Sequence, residues 1–86
     1  MYIRIYNQSK RLLRLGRGLK IFRIANRSSN YFDISGTSRI IFYFEIDKDD
    51  GEYIRYYKEL PIEEIKRLNL YVYFKRNRII LRQRDD

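Results

Sequence analysis

The stretch that decides the fold is residues 39–58, RIIFYFEIDKDDGEYIRYYK. Apolar and polar residues alternate on both sides of Asp49-Asp50-Gly51, and this period of two is typical of half-buried β-strands. The stretch therefore predicts a β-hairpin. A three-residue loop is expected, with Gly51 in the left-handed conformation of a G1 bulge.

The register of this hairpin follows from the chemistry of its cross-strand pairs, because a one-residue slip moves every side chain to the other face. A two-residue turn would place Ile46 opposite Arg55 and would break the match between apolar residues. The three-residue loop matches apolar with apolar and acid with base. It predicts the pairs Ile46–Ile54, Phe44–Tyr56, Glu45–Arg55 and Tyr43–Tyr57.

A second hairpin is predicted at the end of the sequence, where residues 70–75 and 78–83 flank Arg76-Asn77. Asn77 tolerates a positive φ, as a tight turn requires. The core face of this hairpin would pair Val72 with Leu81 and Phe74 with Ile79. Its reverse face would pair Tyr71 with Arg82 and Tyr73 with Ile80.

The N-terminal half is less regular. Residues 1–6 alternate as a strand, and residues 19–25, LKIFRIA, indicate another. The intervening NQSKRLLRLGRG fits either a helix or a hairpin that turns at Gly16-Arg17-Gly18. The hairpin is favoured because about one and a half turns of helix have little stability alone. Residues 26–38 are rich in turn formers and predict a loop, with room for a short strand around residues 31–34.

A short helix is predicted near residues 61–68. Pro61 suits the first helical position, acids follow it in the first turn, and Lys66 and Arg67 lie in the last turn. The expected fold class is α+β, mainly antiparallel β. It would have one sheet of five to seven strands built from hairpins, in a single small domain covering residues 1–86.

The positive charge is concentrated in the first third of the sequence. Residues 1–32 carry eight basic side chains and no acid, while residues 33–86 carry eleven of each sign, so the whole net charge of +8 lies in the first third. A solvated surface without a binding role usually carries both positive and negative side chains. The acid-free stretch therefore predicts contact with a polyanion, and the thirteen arginines against six lysines favour phosphate.

The composition removes most catalytic chemistry. The chain has no cysteine and no histidine, which excludes disulfides, thiol nucleophiles, imidazole bases and Cys/His zinc sites. The acidic segment from Asp47 fails the calcium-loop pattern, because Glu52 and Lys58 occupy the positions that need glycine and glutamate. We expect no enzyme, no catalytic or metal-binding residue and no cofactor. A nuclease that works without a metal remains an alternative.

A tyrosine-rich outward face is the second functional signal. The two C-terminal registers place Tyr43, Glu45, Arg55 and Tyr57 on one hairpin's outer face and Tyr71, Tyr73, Lys75 and Arg82 on the other's. Aromatic rings beside cations can stack unpaired bases while the cations hold phosphates. The same rings can instead be covered by a partner protein.

These observations predict a small basic nucleic-acid-binding protein that contacts the backbone of DNA or RNA through its N-terminal third. The expected contact residues are Lys10, Arg11, Arg14, Arg17, Lys20 and Arg23, with Tyr71, Tyr73 and Arg82 as a secondary surface.

The alternative is a protein-interaction or inhibitor module that self-associates through the tyrosine-rich face, and a homodimer is left open. Thirteen Ile and nine Tyr against one Val and one Ala suggest an A/T-rich coding bias, common in viral and mobile genomes. No secretory signal is visible, and the longest apolar run, residues 40–44, is far short of the roughly 20 residues that span a bilayer. A cytoplasmic protein without membrane contact is expected.

Overall fold

The computed structural model describes residues 1–48 and 50–85, and the described chain is built almost entirely of β-strands. The eight strands are β1 (Tyr2–Asn7), β2 (Leu13–Arg17), β3 (Lys20–Ile24), β4 (Ser29–Asp33), β5 (Arg39–Asp47), β6 (Tyr53–Pro61), β7 (Asn69–Lys75) and β8 (Arg78–Arg84). Within the described residues, the single helical segment is a 3₁₀ turn at Ile62–Glu64. No helix in this part of the chain has the length and apolar character needed to cross a bilayer.

The strands form two four-stranded sheets rather than one. Sheet I has the order β4-β1-β7-β8, and sheet II has the order β3-β2-β5-β6. Neighbours are antiparallel except β1 and β7, which run parallel. The prediction of one sheet of five to seven strands in an α+β fold was wrong. Alternation reveals hairpins, but the chain changes sheet after β1, β3, β4 and β6, and no local pattern marks those crossings.

The two sheets enclose one hydrophobic core, to which both contribute their inward side chains. Phe44 of β5 stacks on Phe74 of β7, with ring centroids 4.9 Å apart. At the β3 and β4 edges, Phe22 meets Phe32 edge to face at 5.1 Å. The buried core residues are Ile3, Ile5, Leu13, Leu15, Ile24, Phe32, Ile34, Ile40, Phe42, Phe44, Leu60, Leu70, Val72 and Ile79. Each sheet therefore has one buried face and one solvent-facing outer face.

Both C-terminal hairpins have the predicted registers. Strands β5 and β6 pair Glu45 with Arg55, and the neighbouring pairs follow as expected. Strands β7 and β8 pair Tyr71 with Arg82, again in the predicted register. Gly51 has a φ of 84°, the left-handed conformation expected of it. Asp49, which the prediction places in the same loop, lies outside the described residues.

The segment after β1 forms the favoured hairpin, and the helical alternative was wrong. The turn is Gly18-Leu19 rather than Gly16-Arg17-Gly18, since β2 and β3 pair Arg17 with Lys20. This register turns Phe22 and Ile24 inward with the two core leucines of β2, whereas the predicted turn would have turned Ile21 inward. The core thus gains the larger aromatic ring, and Leu19 is left fully exposed at the tip.

The predicted helix near residues 61–68 does not form. Strand β6 continues through Pro61, whose ψ of 140° is extended, and Ile65 is extended again after the 3₁₀ turn. The side chain of Gln83 explains the outcome. Its Oε1 accepts hydrogen bonds from the backbone N–H groups of Lys66 and Arg67, at 2.6 and 3.1 Å, and its Nε2 donates to the carbonyl of Glu64. These are groups that a helix would have used internally.

The region expected to be a loop, residues 26–38, contains β4. This strand spans Ser29–Asp33 and begins two residues before the short strand that the sequence suggested. It pairs with β1 along its whole length, and Phe32 is buried opposite Ile3.

Candidate nucleic-acid interface

The outer face of sheet I carries a continuous set of aromatic and basic side chains. Because side chains alternate along a strand, every second residue of these four strands points to solvent. We call this surface the tyrosine–arginine face. It is formed by Arg4, Tyr6, Tyr31, Tyr71, Tyr73, Lys75, Arg78, Ile80, Arg82 and Arg84.

Five of these side chains form a stacked ladder across the sheet. The rings of Tyr6 and Tyr71 lie parallel, with centroids 4.4 Å apart. The guanidinium of Arg4 lies 4.9 Å from the Tyr6 centroid and 5.2 Å from that of Tyr31, and the guanidinium of Arg84 lies 4.7 Å from that of Tyr71. Such cation–π contacts hold both guanidinium groups against the rings.

The positive charges of this face are not neutralised by acids of the described chain. Within residues 1–48 and 50–85, no carboxylate forms an ion pair with Arg4, Lys75, Arg78, Arg82 or Arg84. Arg4 donates from Nε to the hydroxyl of Ser29 at 3.0 Å. Lys75 lies over the Tyr73 ring, 5.6 Å from its centroid. The face therefore keeps a strong positive potential.

The acid at the corner of sheet I is engaged elsewhere. Asp33 accepts a hydrogen bond from the backbone N–H of Ser35 at 2.9 Å, and its carboxylate lies 3.5 Å from the amino group of Met1. The hydrogen bonds from the backbone and side chain of Ser35 lower the pKa of Asp33 below its ordinary value. Asp33 lies on the same outer face as Tyr31, but its carboxylate is engaged by its own turn and by the Met1 amino group and, within the described chain, forms no ion pair with Arg4 or Arg84.

At the β7–β8 turn the face continues into a basic depression. This depression has a volume of about 610 Å³ and is lined by Lys75, Arg76, Arg78 and Ile80. Arg76 and Asn77 both have positive φ, at 52° and 61°, which fits a two-residue hairpin turn. The turn adds the cation of Arg76 to the end of the tyrosine–arginine face.

The geometry favours phosphate binding over base stacking. Tyr6 and Tyr71 stack on each other, and the guanidiniums of Arg4 and Arg84 lie 4.9 and 4.7 Å from their ring centroids, so these two rings are already engaged. A guanidinium stacked on a ring keeps its in-plane N–H donors for phosphate oxygens. Of the three ladder rings, Tyr31, at the end of the ladder and 61% exposed, is the one best placed to stack a base.

The structure brings together only part of the predicted site. Tyr71, Tyr73 and Arg82 lie side by side on the tyrosine–arginine face. The N-terminal cations are divided, because β1 belongs to sheet I while β2 and β3 belong to sheet II. Lys10 and Arg11 lie in the β1–β2 loop, Arg14 and Arg23 on the outer face of sheet II, and Arg17 and Lys20 at the β2–β3 turn.

Several of these N-terminal cations have local partners. Arg14 approaches Glu45 at 3.9 Å, Arg17 donates to the hydroxyl of Thr37, and Arg11 lies 5.9 Å from the centroid of the Phe74 ring. The cations of the acid-free first third therefore do not form one continuous basic surface in the folded protein.

The tyrosine-rich face predicted from the two C-terminal hairpins is divided between the two outer faces. Tyr43, Glu45, Arg55 and Tyr57 lie on the outer face of sheet II, on the other side of the core from Tyr71. There Arg55 binds Glu45 at 2.8 Å and covers the ring of Tyr43 at 5.2 Å. Positive charge on this outer face is thus largely balanced.

Arg4, Tyr6, Tyr31 and Arg84 were missing from the predicted site. Their sequence signals are that Arg4 belongs to the acid-free first third and that Arg4 and Tyr6 share one side of the first alternating strand. The parallel pairing of β1 with β7 sets Arg4 and Tyr6 beside Tyr71, and these strands are more than 60 residues apart in sequence.

Comparisons with protein-family models, curated proteins and solved structures found no match for this chain.

Proposed function

We propose that this protein binds nucleic acid by contacting backbone phosphates with the tyrosine–arginine face. The observation that supports the proposal is the set of five cations on one sheet face that no acid of the described chain neutralises. A polyanion would supply the missing counter-charge and would release condensed counterions on binding.

The ladder makes these cations efficient ligands. Arg4 and Arg84 are already oriented by ring contacts, so less side-chain freedom is lost when they bind phosphate. Adjacent strands are about 4.8 Å apart, so arginines on β1 and β8 are about 10 Å apart across the sheet. The sheet thus presents a broad array of donors suited to a backbone running over it.

Salt dependence of binding tests the proposal directly. We expect a labelled oligonucleotide to bind with a slope of log K against log salt of about −3 to −4.5, as expected for four to five phosphate contacts on single strands or duplex DNA. Single-stranded DNA, single-stranded RNA and duplex DNA should be compared by fluorescence anisotropy. Absence of binding at low salt would refute the proposal.

Arg82→Ala and Arg23→Ala form a matched pair for locating the interface. Each removes one exposed arginine from an outer face, Arg82 from sheet I and Arg23 from sheet II. We expect Arg82→Ala to weaken binding and to reduce the salt slope by about 0.7–0.9, while Arg23→Ala changes it little. Equal losses of affinity in the two variants would contradict an interface confined to the tyrosine–arginine face and would favour contacts from the N-terminal third.

Self-association through the outer face of sheet II is the second candidate. Three large side chains on this face, those of Ile21, Tyr53 and Tyr57, are 55%, 70% and 74% exposed. A second copy of the chain would bury them. Sedimentation at rising protein concentration tests this candidate, because Ile21→Asp should abolish a dimer and leave a monomer unchanged.

A further inference from the structure

A basic cleft lies at one end of the sandwich, between the β2–β3 turn and the segment that leads into β5. Its volume is about 570 Å³. Three cations line it, from Arg17, Lys20 and Arg39, together with the hydroxyl-bearing residues Thr37 and Ser38. The Arg17–Lys20 pair closes the β2–β3 hairpin, so the turn itself holds both side chains at the cleft.

Arg17 is held in place for ligand binding. Its Nε donates to the Thr37 hydroxyl at 3.0 Å, which uses one of the five N–H donors of the guanidinium and fixes its plane. The two terminal amino groups then form the fork that binds two oxygens of one anion. Both residues are partly buried, so the arrangement is more rigid than a surface arginine alone.

The cleft is lined by positive charge without a lining acid. Among the described residues, the carboxylate that contacts a lining cation is that of Glu59, 3.3 Å from Arg39. Gly18 and Gly36 also line the cleft, and the space where a Cβ would stand has no atom within 4 Å at either residue. A ligand can therefore approach the main chain closely at both glycines.

This cleft is separate from the basic depression at the β7–β8 turn. The N–H of Ile34 bonds the carbonyl of Met1, which places the start of the β4–β5 segment beside the start of β1. Strand β7 runs parallel to β1, so its final residue, Lys75, lies towards the other end of the sandwich. One phosphate group cannot contact both places.

We propose that the cleft binds a phosphomonoester group, held by Arg17, Lys20 and Arg39 with the hydroxyl of Ser38. Three cations line the cleft and one of them, Arg39, is also paired with Glu59, so about two positive charges are left uncompensated. They suit a group that carries about −1.5 to −2 charges near neutral pH better than a singly charged phosphodiester. The phosphomonoester is either that of a free nucleotide or the terminal phosphate of a nucleic acid strand. The site goes beyond the proposed function, which concerns internal phosphates on the tyrosine–arginine face.

Amide NMR titrations with inorganic phosphate and with adenosine 5′-monophosphate test the site. We expect saturable shifts at Gly18, Gly36 and Thr37, and tighter binding as pH rises through about 6, where the second phosphate proton is lost. Arg17→Ala with Lys20→Ala should weaken binding at least tenfold. Arg23→Ala, an equally basic residue of the same hairpin, should not change it. The dispersion of each variant's spectrum verifies its fold.

Two oligonucleotides identify the source of the group. If a 5′-phosphorylated strand binds more tightly than its 5′-hydroxyl form, and Arg17→Ala with Lys20→Ala abolishes the difference, the ligand is a strand end. Equal binding of both strands, with saturable binding of the mononucleotide, identifies a free phosphomonoester. Absence of saturable shifts up to about 10 mM phosphate, or equal loss in Arg23→Ala, would overturn the site. Arg82→Ala should leave phosphomonoester binding in the cleft intact. This variant therefore distinguishes failure of the cleft site from failure of the proposed function.

Discussion

The rings of Tyr6 and Tyr71 stack face to face, with centroids 4.4 Å apart and planes 4° from parallel. They join the first strand of the chain to the seventh across a parallel pair of strands. The guanidinium of Arg4 lies over the Tyr6 ring and that of Arg84 over the Tyr71 ring. The contact thus links the topology of sheet I to the cations proposed to bind nucleic acid.

The stacked rings of Tyr6 and Tyr71 should be energetically coupled in the free energy of unfolding. We expect Tyr6→Leu and Tyr71→Leu to be non-additive by about 0.5–1.5 kcal/mol, because either change alone removes the ring–ring contact. Urea unfolding of both single variants and the double variant measures the coupling. Strict additivity would show that the stack contributes nothing beyond apolar burial.

Arg84 should contribute geometry as well as charge to binding. We expect Arg84→Lys to keep the salt slope of the unaltered protein and to lose a few-fold in affinity, because a lysine lacks the planar fork that stacks on Tyr71. Arg84→Ala should also reduce the slope, by about 0.7–0.9. Identical behaviour of the lysine variant and the unaltered protein in anisotropy titrations would contradict the role of stacking.

The side chain of Asn7 is fully buried and should be essential for stability. Its Nδ2 donates to the carbonyls of Arg11 and Ile24, at 2.7 and 2.8 Å, and its Oδ1 accepts from Ser9. We expect Asn7→Ala to lower the free energy of unfolding by about 2–4 kcal/mol, since the carbonyls of Arg11 and Ile24 each lose a donor and the bond to Ile24 is buried.

Asn7→Asp should be at least as damaging as Asn7→Ala near neutral pH, because a carboxylate cannot donate to carbonyls. Gln8→Ala, at the exposed neighbouring position, serves as control and should change stability by less than about 0.5 kcal/mol. Denaturant unfolding measures all three. A mild effect of Asn7→Asp would show that this hydrogen-bond network does not stabilise the crossing from β1 to β2.

Two glycines of the same hairpin should respond oppositely to alanine. Gly18 has a φ of 59°, so Gly18→Ala should lower the free energy of unfolding by about 1 kcal/mol. Gly16 lies within β2, and a Cβ there would meet the Ile41 Cβ at an ordinary 3.8 Å, so Gly16→Ala should be neutral or slightly stabilising. Thermal unfolding in phosphate-free buffer measures both variants. Equal destabilisation would place the turn elsewhere than Gly18-Leu19.

The carboxyl of Asp33 should titrate below its ordinary range. Its pKa is lowered chiefly by hydrogen bonds from Ser35, so its contribution to stability is present above the ordinary aspartate pKa and fades as pH falls through the lower, folded value. An NMR titration should show this low pKa. Ser35→Ala should raise the pKa of Asp33 part of the way to its ordinary value, because the backbone donor remains. An unchanged pKa would show that the Ser35 hydroxyl does not contribute to the shift.

Local chemistry was sufficient to predict the β5–β6 and β7–β8 hairpins with their registers. Each pairs neighbours along the chain, and only one register matches Glu45 with Arg55 while keeping the apolar residues on one side. For the same reason, the sequence correctly placed Tyr71, Tyr73 and Arg82 on one face. These features depend on the period of two and on loop length.

The sequence by itself determined the β-rich character of the chain, its hairpins and the sign of its charge. Only the tertiary structure decided the division into two sheets, the extended backbone beyond Pro61 and the surface on which each arginine lies. The parallel pairing of β1 with β7 joins residues distant in sequence, and Gln83 satisfies backbone groups of a segment 16–19 residues away. Such long-range hydrogen bonds leave no periodic trace in the segments they join, and they outweigh weak local helix signals.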